Sequence, residues 1–132
     1  MAYLQPPWFT AKVFNKIAML TGIAGAETLT LTTRGGKKQQ IPVISVDVAG
    51  TRFLVSTRGE SQWVKNVRVN PRVLLTRKGT SETFVVQELQ IESRTPVLEA
   101  YRTKAGKAVD GYFAKLPDPS DHPVFRLTRQ SS

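Results

Sequence analysis

The 132-residue sequence predicts a mainly β domain with helices, an α+β fold arranged as an antiparallel β-barrel. Three observations carry this expectation. Short segments alternate apolar and polar residues, as half-buried strands do. Tight turns separate them, which join antiparallel neighbours rather than the crossovers of a parallel sheet. Helical periodicity is confined to three places, at the start, the middle and towards the end of the chain.

Residues 7–20 read as a first helix, because Phe9, Val13, Ile17 and Leu20 recur at helical spacing. Trp8 and Phe14 widen its apolar side, while Lys12 and Lys16 lie near the edge. Most such helices cover their own core, so residues 1–22 are expected to lie over the barrel, with at most weak attachment to anionic membranes. Gly22 and Gly25 stop the helix.

In residues 28–32 leucines face one side and threonines the other, which makes a strand. Residues 34–40 form a Gly- and Lys-rich loop, and residues 41–48 a second strand. Ala49-Gly50 turns the chain into a third strand, residues 52–56, followed by a loop at 57–60. Ser61 caps a short helix that runs to Val69 and closes at Asn70-Pro71. Residues 73–77 and 83–91 pair as a hairpin about Lys78-Gly79-Thr80. Thr95-Pro96 opens a third helix, with Leu98, Tyr101, Ala105, Ala108, Val109, Tyr112 and Leu116 on one face. Gly106 and Gly111 weaken that helix. A proline-rich loop at 117–123 precedes a last strand at 124–128. No repeat or linker divides the chain, so residues 1–132 read as one domain of five or six strands.

Nineteen Lys and Arg against ten Asp and Glu leave a net charge of +9. Such a surface attracts nucleic acid, an acidic membrane face, or a phosphorylated or carboxylated small molecule. Few aromatic residues are interleaved with the basic ones, and charge alone gives only non-specific affinity, so a basic nucleic-acid-binding barrel is the lesser alternative and no specific nucleic-acid partner is expected. The absence of cysteine excludes disulfides, a thiolate nucleophile and Cys-based metal sites. No apolar run reaches transmembrane length and no signal-peptide pattern is present, which gives a cytoplasmic expectation.

His122, the single histidine, sits between Asp121 and Pro123 and is expected to pack or cap. No ligands occur at metal spacing, so no metal is expected. The acids Asp47, Glu60, Glu82, Glu88, Glu92 and Glu99 are scattered, with no pair arranged for acid–base work. An enzyme of this composition depends on a cofactor for its reaction.

The loop Arg34-Gly35-Gly36-Lys37-Lys38 has glycines that let backbone N–H groups approach a phosphate and lysines that supply charge. It lacks Walker spacing, and a solvated basic turn is the plainer alternative. Thr57-Arg58-Gly59 carries the same two readings. Trp63 and Val67 suit a core, whereas Asn66 is a mediocre helix former whose side chain is expected to bond a neighbouring loop or a ligand.

In their order along the chain, these blocks resemble the deazaflavin-dependent nitroreductase family. The first is Leu31-Thr32-Thr33-Arg34-Gly35, followed by the basic loop and Pro42-Val43. The second is Ser56-Thr57-Arg58-Gly59, then Trp63-Val64-Lys65-Asn66-Val67 and Asn70-Pro71. The third is His122-Pro123-Val124-Phe125, so the resemblance covers about residues 8–128. Gly36 stands where the family commonly has arginine, Gln39 stands near the arginine expected before the proline, and Val64 replaces an aromatic.

The resemblance implies a split antiparallel β-barrel of the FMN-binding, pyridoxamine-oxidase-like kind. It implies coenzyme F-420, a deazaflavin with a polyanionic tail, FMN on the same fold being the alternative. Gly36, Lys37, Lys38 and Gln39 would then surround the tail phosphate, with Pro42 and Val43 on the strand beside the coenzyme. Ser56, Thr57, Arg58 and Gly59 would line the deazaflavin and its tail, and Trp63 and Asn66 would flank the ring. The implied reaction is hydride transfer from reduced F-420 to a small electron-poor acceptor, a quinone or nitro compound. Tyr112 is the catalytic candidate, as a proton donor alongside solvent.

Overall fold

The Leu/Thr alternation at 28–32 lies within β1 (Ala26–Thr32), which pairs antiparallel with β2 (Lys38–Ile44) and β5 (Arg72–Arg77). The computed structural model describes residues 26–130, and the expected N-terminal helix lies outside them. The remaining strands are β3 (Val46–Val48), β4 (Thr51–Val55), β6 (Thr80–Glu88) and β7 (Val124–Arg129). Among the described residues the α-helices are, in chain order, α1 (Gln62–Val69), α2 (Thr95–Ala105) and α3 (Lys107–Lys115).

The seven strands form one sheet in the order β2-β1-β5-β6-β7-β4-β3, and every neighbouring pair is antiparallel. The two edge strands, β2 and β3, are consecutive in the chain with only Ser45 between them. Opposite edges can be joined by one residue only if the sheet curls until they meet at that corner, which is a split barrel. The corner is tied down by buried Glu27, whose carboxylate accepts from the Ser45 N–H at 3.1 Å and the Ser45 hydroxyl at 2.5 Å. Lys104 of α2 donates to the Ser45 carbonyl at 2.6 Å.

Strand alternation separates two cores. Leu29, Leu31, Leu75, Phe84 and Leu127 fill the barrel, and Val64 and Val67 of α1 are fully buried among them. On β4, Leu54 points to this core while Phe53 and Val55 point outward, beneath Leu98, Tyr101 and Phe113 of α2 and α3. β4 is therefore covered on both faces, which suits its continuous apolar run Phe53-Leu54-Val55.

Several boundaries differ from the sequence expectation. The segment 41–48 is two strands broken at Ser45, and β2 begins earlier, at Lys38. The sheet has seven strands rather than five or six. β6 stops at Glu88, and Ile91 lies in a single 3-10 turn. The third helix divides at Gly106, whose φ of 63° and ψ of −140° no helix accommodates. The break resets the helical phase after it, so Ala108 is exposed while Phe113 is buried; before it, Val97 is buried as well. Ala49 and Gly50 form the expected tight turn, both with positive φ (51° and 83°).

Candidate functional site

Helix α1 organises the site. Ser61 enters it in an extended conformation without a side-chain cap, and Asn70 ends it, its N–H donating to the Asn66 carbonyl at 2.8 Å before Pro71. Trp63 packs on the barrel core, with its ring 5.5 Å from that of Phe125. Gln62, Asn66 and Asn70 recur at intervals of four and so share a helix face. That face meets the turn between β1 and β2. Asn66 Oδ1 accepts from the Arg34 backbone N–H at 3.1 Å and from Arg34 Nε at 3.0 Å. Its Nδ2 donates to Gln39 Oε1 at 3.2 Å. Gln62 Oε1 accepts from Arg34 Nη2, and Asn70 Nδ2 donates to the Thr33 carbonyl at 3.1 Å.

The 33–37 turn is closed on itself. Thr33 N–H donates to the Lys37 carbonyl at 2.7 Å and Gly36 N–H to the Thr33 carbonyl at 2.9 Å, with Gly36 at φ 89°. Lys37 N–H donates to Thr33 Oγ1 at 3.0 Å. The amides of Thr33, Gly36 and Lys37 are therefore engaged within the turn. What the turn presents is side-chain charge, on exposed Lys37 and Lys38. Lys38 Nζ lies 3.4 Å from Thr32 Oγ1. It borders an open groove of about 850 Å³ on the outer face of β1, β2, β5 and β6, which also includes Arg72 and the polar side chains of Thr30, Gln40, Asn70 and Thr83.

The 56–60 loop flanks α1 on another side. Ser56 is buried, its hydroxyl donating to the Gly59 carbonyl at 2.6 Å and its N–H to the Pro123 carbonyl at 2.9 Å. His122 is fully buried beneath it, with Nδ1 2.9 Å from the Ser56 carbonyl and Nε2 2.5 Å from the Leu116 carbonyl. Its ring stacks on Phe113 at 4.2 Å, so it packs and caps as expected. Arg58 reaches α3, where Nη2 donates to the Tyr112 hydroxyl at 2.8 Å and the guanidinium lies 4.7 Å from the ring centroid. Tyr101 is buried nearby. Desolvation pushes its phenol above the ordinary range, with Arg58 opposing and Tyr112 reinforcing the shift, so it is a neutral side chain at neutral pH.

Two clusters of the expected residues thus adjoin α1. One is Gly36 to Gln39 with Asn66, and the other is Ser56 to Gly59 with Tyr112. Pro42 and Val43 occupy successive positions on β2, and Val43 packs against the barrel core. Trp63 contributes to that core as well as to the helix. Gln62 and Arg72 escaped the sequence reading, which had Asn70 as the helix stop and in the second block but not as a site residue. The spacing of Gln62, Asn66 and Asn70 was its one available signal, whereas Arg72 joins the site only through sheet order. Among the described residues no group of His, Asp and Glu side chains could hold a metal ion.

The geometry is that of a split barrel with two basic or polar loops beside one short helix. Residues 11–115 match the F420H(2)-dependent quinone reductase family, and the chain belongs to that family. It is an oxidoreductase, and its cofactor is coenzyme F-420. Among solved structures, it is similar to an F420-H2 dependent reductase (22% identity, TM-score 0.59), over 80% of this chain and 95% of that one. The heme storage protein HutZ from Vibrio cholerae matches at 16% identity and TM-score 0.63, over 91% and 92% of the two chains. A pyridoxamine 5'-phosphate oxidase-type protein from Listeria innocua matches at 16% identity and TM-score 0.59, over 89% and 93%. No curated protein matches.

Proposed function

We propose that this chain passes a hydride from reduced F-420 to a quinone, with electron-poor nitro compounds as a second class of acceptor. The observation that carries the site assignment is that α1 lies between the 33–37 turn and the 56–60 loop and bonds the first through Asn66 and the second through Arg68. The donor set fits the coenzyme: Lys37, Lys38 and Arg72 offer charge-assisted hydrogen bonds to phosphate and carboxylates. When bound, the deazaflavin supplies the hydride chemistry. In this reading Lys37, Lys38 and Arg72 hold the tail, and Thr57 and Arg58 line the ring. Tyr112 serves the acceptor. Because Arg58 donates to its oxygen, the phenolic proton is directed elsewhere and is available to a reduced acceptor. We place the protein in the cytoplasm, with at most weak attachment to anionic membranes through residues 1–22.

Heme binding, suggested by HutZ, has one specific observation against it. The single histidine is fully buried with both ring nitrogens against carbonyls, so it is not presented to a heme iron. FMN is the alternative cofactor on this fold. Oxidation of reduced F-420 by a soluble naphthoquinone, followed by deazaflavin absorbance, is expected to require the protein. Tyr112→Phe should slow turnover by about 10²-fold with little change in F-420 affinity. Tight FMN binding with no response to F-420 would overturn the assignment.

A further inference from the structure

Glu60, Arg68, Glu88 and Arg94 form an ion-pair chain that the proposed hydride transfer leaves without a role. Arg68, in the last turn of α1, grips two carboxylates at once. Its Nη1 and Nη2 lie 2.5 and 3.0 Å from the two oxygens of Glu60. Its Nε and Nη2 each lie 2.8 Å from an oxygen of Glu88. Arg94 Nη2 continues the chain at 3.2 Å from Glu88, while its Nε and Nη1 donate to the Leu89 and Pro119 carbonyls at 3.3 and 3.1 Å. Glu60 and Arg94 are only 8% and 6% exposed. Arg68 itself is exposed and its fork to Glu88 faces solvent, so these pairs add little stability; the part-buried fork to Glu60 and the buried Arg94 fix geometry instead.

What they fix is the 56–60 loop. Glu60 is its last residue, and the chain of contacts from Glu60 runs through Arg68, Glu88 and Arg94 to Pro119. The Pro119 turn leads to His122, which lies against the Ser56 carbonyl at the loop's first residue. The two ends are thus joined underneath by one ring of contacts. Between them Gly59 takes φ 83°, and Arg58 is aimed at Tyr112.

We propose that this ring sets the conformation of residues 57–59, and that Glu60 and Arg68 are positioning residues for the coenzyme site. The loop's conformation stands on the geometry above; only its use rests on the reading that the loop faces F-420.

The test compares Arg68→Gln, Arg68→Lys and Glu60→Gln with the wild type. Arg68→Lys keeps the charge but cannot fork to two carboxylates. In coenzyme-free protein, amide hydrogen exchange at 57–59 is expected to accelerate about tenfold or more in Arg68→Gln, with little change in β1 and β5. The F-420 dissociation constant should rise about tenfold, because the unbraced loop must be ordered on binding. Arg68→Lys should restore part of both. Unchanged exchange at 57–59 in folded variants overturns the proposal, and so does acceleration spread evenly over the barrel. Glu60→Gln, which keeps volume and an acceptor, carries the same comparison should Arg68→Gln fail to fold. A wild type that ignores F-420 overturns the coenzyme reading, and loop exchange still decides the positioning.

Discussion

Asn66 is a mediocre helix former in the middle of a short helix, and its carboxamide accounts for its place there. It accepts two hydrogen bonds from Arg34, 32 residues away, and donates one to Gln39, 27 residues away. Its oddity was legible in the sequence; its partners were not, because strand pairing alone brings them to the helix. Asn66→Ala should cost about 1–3 kcal/mol, the penalty for orphaning a shielded donor or acceptor. Asn66→Asp keeps the acceptor for both Arg34 groups and should lose less, as urea denaturation of the two variants would show. Equal losses would mean that donation to Gln39 carries the bracing. Glu60 makes a second prediction at this scale. Its hydrogen bond from Arg68, reinforced by the charges of Arg68, Arg94 and Lys65, outweighs burial and holds the carboxyl below its ordinary value of 4.5. A lowered folded pKa means stability that is present above the unfolded value and lost as pH falls through the folded one. The melting-temperature gap between wild type and Glu60→Gln should therefore be widest near neutrality and narrow as pH falls below the ordinary carboxyl value of 4.5. A gap independent of pH would show that the Glu60 charge adds nothing.

At the scale of elements, the strands were legible because one face of each is buried and period-two alternation follows. Their ends were not. Ser45 fits a strand as well as a corner, so the crossing from β2 to β3 left no mark in the residue pattern. Likewise Gly106 and Gly111 both weaken a helix, and composition does not say which one breaks it. The backbone does: Gly106 has φ 63°, whereas Gly111 lies inside α3. An added Cβ would meet nothing within 4 Å at either position, so packing does not distinguish the two substitutions. Conformation does. Gly106→Ala should destabilise by about 1–3 kcal/mol through backbone strain, while Gly111→Ala should stabilise by about 0.5–1 kcal/mol. Denaturant midpoints of the two variants should therefore move in opposite directions. If Gly106→Ala is neutral, the junction between α2 and α3 adapts to a conventional turn, and the Arg58–Tyr112 contact would then need no fixed helix break.

For the whole molecule, net charge acts on folding and on ligand binding with opposite signs. A charge of +9 on 132 residues repels itself in the folded state, and added salt screens that repulsion. The same charge attracts an anionic coenzyme tail, and salt screens that attraction too. Raising ionic strength from about 0.05 to 0.5 M shortens the screening length from roughly 14 to 4 Å. The melting temperature of the coenzyme-free protein should then rise or hold steady while the F-420 dissociation constant increases. The dependence on salt should be steepest for coenzyme with the longest oligoglutamate tail, because each added carboxylate is one more screened charge. Lys37→Ala combined with Lys38→Ala should flatten it. Both lysines are exposed, so that double substitution should change stability by within about 0.5 kcal/mol, while weakening coenzyme binding by about 1.5–3 kcal/mol for each charged hydrogen bond to the tail that it removes. Fluorescence titration against salt, for wild type and double variant, separates local bonding from global attraction. Parallel curves displaced to weaker binding would mean that the lysines act through short hydrogen bonds alone. Coincident curves would make the 33–37 turn a solvated loop and would move the tail to another part of the surface.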